Sequence, residues 1–233
     1  MAEIHLYGKL RRYAQDIPKY RPNLILVVTV SILMVGCSAA YYGTMEKLGY
    51  HKRDLMVSRV ESARDAQQEA KEQFESALEK FSSVLKVDGG ELEEKYEQLK
   101  TAYDKSNARA ETVRDRIGAV EDVSEALFEE WQAELDQYTS DSLRRSSARK
   151  LKQTRRQYTQ LIGAMKRAEK KMEPVLSAFH DQVLFLKHNL NARAIASLQT
   201  ELVSVEAEVN SLIRDMEASI IEADAFINAM AKE

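Results

Sequence analysis

The sequence predicts an all-α fold: an elongated antiparallel bundle of long heptad helices, four in number, preceded by a signal peptide. Three observations carry this prediction. Among 233 residues there are only 8 Gly and 3 Pro, while 30 % are charged. The residues that punctuate turns are therefore scarce, as in long helices. Apolar residues recur in alternating steps of four and three over nearly all of residues 51–231, the spacing that keeps one helical face against partners. The one continuous apolar run, Leu24 to Val35, is confined to the amino-terminal region.

The first heptad segment reads Met56, Val60, Ala63, Gln67, Ala70, Phe74, Ala77, Phe81 and Val84, with Gln67 as its one polar break. Val87-Asp88-Gly89-Gly90 ends it, because paired glycines disfavour helix and suit a turn. The second runs from Leu92 through Tyr96, Leu99, Tyr103, Ser106, Ala110, Val113, Ile117, Val120, Ser124, Leu127, Trp131 and Glu134 to Tyr138. Thr139-Ser140-Asp141-Ser142 then supplies capping residues for a new helix. The third runs from Leu151 to Leu186, and Pro174 inside it predicts a kink or a fresh helix start. The fourth runs from Leu198 to Met230. Its phase slips near Asn189-Leu190-Asn191, where Asn191 could cap a new helix or a stutter could carry one helix through. Breaks near 88, 140 and 190 give four helices of similar length, which pack up-down-up-down with short turns. Three helices with a very long last one is the alternative.

At the amino terminus, Lys9, Arg11, Arg12, Lys19 and Arg21 outweigh Glu3 and Asp16. The twelve residues that follow, interrupted only by Thr29 and Ser31, span roughly 18 Å as a helix, short of a hydrocarbon core of roughly 30 Å. A basic leader, a short apolar stretch and then small residues is the layout of a secretory signal. Met34-Val35-Gly36-Cys37 resembles a lipobox, the motif at which bacteria lipidate a cysteine and cut before it. It departs from that pattern at Met34, where Leu is usual, and at Val35, where a small residue is usual. Cys37 is also the only cysteine, so no intrachain disulfide can form. The expected organisation is a lipoprotein signal peptide at 1–36, a membrane-proximal tether at 37–50 and a coiled-coil bundle at 51–233, with Cys37 as the lipid attachment site. An uncleaved signal anchor extended to Tyr42, or an ordinary signal with a chance cysteine, are the other readings. Ser38 after the cysteine resembles the sorting rule for the outer membrane.

Charge is unevenly spread. The net charge of −3 gives no global footprint for nucleic acid. Between Ser142 and Met172, however, Arg144, Arg145, Arg149, Lys150, Lys152, Arg155 and Arg156, continued by Lys166, Arg167, Lys170 and Lys171, face Glu169 as the one acid. The second and fourth segments are acidic. One reading places the basic helix between acidic neighbours that fix partner choice. The other makes the seven residues from Arg144 to Arg156 contacts for anionic lipid, lipopolysaccharide or an acidic partner. Enzyme signatures are missing: Gly89-Gly90 is followed by Glu91 and lacks the Lys-Ser/Thr ending of a phosphate loop. His5, His51, His180 and His188 offer no metal-binding motif, and Trp131 and the second segment's tyrosines sit on heptad positions, as core residues do. No catalytic residue, cofactor or metal is therefore expected.

The stretches GCSAAYYGTMEKLGYHKRDLMVSRVESARDAQ and VLFLKHNLNARAIASLQTEL resemble a family of uncharacterised proteobacterial lipoproteins known only as a domain of unknown function, and the likeness covers nearly the whole mature chain. The resemblance implies no activity. The expectation is a lipid-anchored protein of the bacterial envelope, facing the periplasm from the outer membrane. It would act as a structural or interaction module, a rod of roughly 70 Å, with an envelope protein or anionic lipid as partner.

Overall fold

The computed structural model describes residues 51–86, 92–189 and 192–231. The signal peptide, Cys37, the tether, the Gly89-Gly90 turn and the proposed cap at Asn191 lie outside them. The described residues form four α-helices: α1 (Lys52–Lys86), α2 (Leu92–Glu134), α3 (Asp141–His188) and α4 (Ala192–Ala231). They belong to one compact unit. The three-helix alternative fails, because α3 stops at His188 and α4 folds back on it. Asn189 ends α3 by donating its backbone N–H to the Leu186 carbonyl and its side-chain amide to that of Phe185.

Each helix packs on the next, and α4 closes the ring against α1. The ion pairs show the directions. Arg64 meets Asp224 while the later Lys71 meets the earlier Glu217, so α1 and α4 are antiparallel. Lys52 pairs with Glu130, and Arg109 with Glu69, which makes α1 and α2 antiparallel too. Up-down-up-down order follows, and it puts His51, the α2–α3 turn and Met230 at one end of the bundle.

The heptad seams are the core. Every seam position named for α1, and every one from Leu198 to Met230 along α4, is buried. Phe81 and Phe179 stack across the interior with ring centroids 4.4 Å apart, and Phe74 flanks them at 6.4 Å from Phe179. Two of the polar interruptions find partners, while the buried Gln182 side chain of α3 finds none among the described residues. Ser219 of α4 donates to Gln67 of α1 at 2.7 Å, and Ser106 donates to the Ala102 carbonyl at 2.9 Å.

Two expectations need correction. The second seam does not extend through Glu134 and Tyr138, both of which are exposed. At Leu135–Gln137 the chain tightens into a 3₁₀ turn. Leu135 opens that turn, and the row Phe128, Trp131, Leu135, spaced three and four apart, carries the core-facing side there, so Leu135 is buried in place of Glu134 and Tyr138. Trp131 lies at the core's edge rather than inside it, half-buried, donating its indole N–H to Ser147 at 2.8 Å.

Nor does Pro174 start a new helix, since α3 is continuous from Asp141 to His188. Proline frees the carbonyl four residues earlier. Here that carbonyl belongs to Lys170, exposed like Pro174 itself, so water can satisfy it and the helix survives.

Candidate anionic-surface site

The basic helix begins at a built cap. Ser140 has extended backbone and accepts from the Leu143 N–H through its hydroxyl, and Asp141 places negative charge in the first turn, where the helix dipole favours it. From there a buried row, Leu151, Thr154, Leu161, Met165, Ala168 and Met172, fixes the rotation of α3. On the opposite side the spacing 145, 149, 152, 156 puts Arg145, Arg149, Lys152 and Arg156 in one row, and all four are exposed.

The seven residues expected to act together therefore divide. Arg144 pairs within its own helix, with Asp141 at 2.9 Å. Arg155 leans back over α2: its guanidinium lies 5.5 Å from the Phe128 ring centre and donates to the Phe128 carbonyl at 3.2 Å. Lys150 is half-buried. The remaining four face away from the bundle. Among the described residues, Arg145, Arg149 and Lys152 have no acidic partner, and Arg156 donates only to the Lys152 carbonyl.

The idea of a basic helix held between acidic neighbours thus holds only for its later half. Lys166 bridges Glu121 of α2 at 2.9 Å and Glu169 at 3.3 Å, and these carboxylates raise its pKa. Lys171 reaches Asp215 of α4 at 2.7 Å and Ser211 at 2.8 Å. Among the described residues Arg145, Arg149, Lys152 and Arg156 of the earlier half have no such acidic partner, and the nearby face of α2 presents Phe128, Trp131 and Leu135.

Lys152, Arg155 and Arg156 also edge a shallow groove of about 370 Å³ between α2 and α3, with Leu135, Ala148 and Leu151 beneath. A cationic edge over an apolar floor matches the two halves of an anionic amphiphile. Nearby, Tyr158 packs edge-on to Phe128 at 5.4 Å. Burial pushes its phenol pKa up, so it stays neutral. Sequence reasoning found the cations but missed Leu135 and Leu151 as their floor. The apolar spacing Phe128, Trp131, Leu135 was the available signal for Leu135.

Neither candidate metal histidine is part of a cluster. His180 stacks at 5.3 Å on Tyr103 and is exposed, as is His188. Among the described residues no three His, Cys, Asp or Glu side chains gather as metal ligands would, and no helix is long and apolar enough to cross a membrane.

A family model described as a protein of unknown function, DUF2959, matches residues 41–230. Neither a curated protein nor a solved structure matches the chain.

Proposed function

Since the chain belongs to the DUF2959 family, whose description assigns no activity, we propose from its geometry that it is a lipid-anchored protein of the bacterial envelope. It is attached through Cys37 to the outer membrane and faces the periplasm. Its bundle is a structural or interaction module rather than an enzyme. The observation that supports this most is where the chain enters: α1 begins at Lys52, so the segment from Cys37 reaches the bundle at the end that also carries Arg145 and Arg149. A lipid anchor that joins the bundle at the end carrying these cations supports the reading, because a basic patch adds to the hold of acyl chains on an anionic membrane. Replacing Cys37 by serine is expected to remove the lipid and release the protein from membranes. Residues 1–36 still present on membrane-bound wild-type protein would overturn the cleavage.

The second reading, binding of anionic lipid or lipopolysaccharide, is favoured by the outward row itself. Reversing Arg145, Arg149 and Arg156 to glutamate breaks no ion pair, so the melting temperature is expected to stay within a degree or two. Binding of the bundle to anionic vesicles is expected to be lost, since each basic residue near such a surface contributes about 1 kcal/mol. Wild-type binding should also weaken with salt. A large fall in melting temperature would instead return these arginines to an internal pairing role.

A further inference from the structure

We propose that the bundle lies along the membrane, with the outward face of α3 against an anionic bilayer, instead of standing away from it on one end. This rests on the anionic-surface reading above and adds the orientation. The row Arg145, Arg149, Lys152 and Arg156 does not stop near the α2–α3 turn. At the same heptad spacing it continues through Gly163 to Arg167 and Lys170, both exposed and, among the described residues, without an acidic partner. From Arg145 to Lys170 the row runs about 38 Å along the helix axis. In an upright bundle Arg167 and Lys170 would stand about 40 Å above the turn. That is several Debye lengths of roughly 8 Å, and their attraction to the surface would be screened away. Laid flat, the whole row reaches the headgroups.

The opposite face selects the same side. In the ring, α1 is diagonal to α3, and its exposed residues include Glu69, Glu72, Glu75 and Glu79. A surface that attracts α3 repels α1, which gives the bundle one preferred roll. The chain from Cys37 to His51 can extend to about 50 Å, enough for an anchored bundle to lie down.

The test uses the full chain incorporated into vesicles that contain either phosphatidylglycerol or only zwitterionic lipid. A fluorophore is carried on an unnatural side chain at one position at a time, so that Cys37 is left alone, and energy transfer to a headgroup acceptor is read. Position 163 suits the label, because a Cβ there would meet only the Arg167 side chain, at 3.6 Å. Position 75 on α1 is the control, and position 142 reports on the end of the bundle.

The expected result is strong transfer at 163 and weak transfer at 75 on anionic vesicles. Arg167→Glu with Lys170→Glu should abolish that difference without moving the melting temperature. Strong transfer at 142 with weak transfer at 163 would overturn the flat orientation while leaving the anionic-surface reading in place. Transfer that ignores anionic lipid at all three positions would overturn both.

Discussion

Replacing Phe179 by alanine is expected to lower the unfolding free energy of the bundle by about 3–5 kcal/mol. Its ring is fully buried and stacked on Phe81 at 4.4 Å, so truncation removes an aromatic contact as well as apolar area. The surrounding side chains come from α1 and α3, which are diagonal in the ring and held apart by α2 and α4, so the cavity has little room to collapse. Urea denaturation followed by circular dichroism measures it: the midpoint should fall with the slope unchanged. A loss under about 1 kcal/mol, the range of ordinary surface substitutions, would mean that the rings do not meet in the interior.

The second large effect concerns a buried polar contact between distant segments. Ser219→Ala is expected to cost about 1–3 kcal/mol, because it strips the Gln67 carbonyl oxygen of its partner in a buried position. The Gln67 amide nitrogen already lacks one. Gln67→Leu should cost less, since the Ser219 hydroxyl left behind can turn to a carbonyl of its own helix. Making both changes should be close to neutral, so a double-mutant cycle should show strong coupling. Independent, additive costs would show that the two side chains do not interact. The pair also has a specifying role. A polar residue in a heptad seam is satisfied in one register only, and with Gln67 opposite Ser219, α4 cannot slide along α1 without burying two unpaired groups.

Much of this architecture can be read from the chain because heptad periodicity and burial are the same fact seen twice. In α1 and α4 the steps of four and three land on buried residues at every position, even where the residue is Gln67 or Ser219. The scarcity of glycine and proline outside the turns leaves few places to break. The reading fails where periodicity itself changes. Leu135 takes the place of Glu134 in the core because the buried side passes from Leu127 to Phe128 and on by steps of three and four, and Pro174 leaves α3 continuous because its freed carbonyl faces water.

At the candidate site, composition located the basic residues but could not divide them. Whether an arginine faces α2 or solvent depends on helix rotation. The buried row of α3 sets that rotation, and the spacing of Arg145, Arg149, Lys152 and Arg156 opposite the row was the available signal. The apolar floor beneath them joins Ala148 and Leu151 of α3 to Leu135 at the end of α2, a meeting of two helices that periodicity along either one does not show.

The first residues of α1 and the last of α4 meet at one end, where Arg53 donates to the Met230 carbonyl. That closure has a mechanical meaning. A pull applied between the beginning of α1 and the end of α4 would not slide the two helices past each other with every layer sharing the load. It would open them like a zipper, loading one layer at a time: first Arg53 with Met230, then Arg64 with Asp224, and the Gln67–Ser219 pair only after those had parted. The bundle is thus weak to tension between its own two ends. Tension drawn from the opposite end, at the turn after His188, would instead bear on α3 and α4 along their whole lengths.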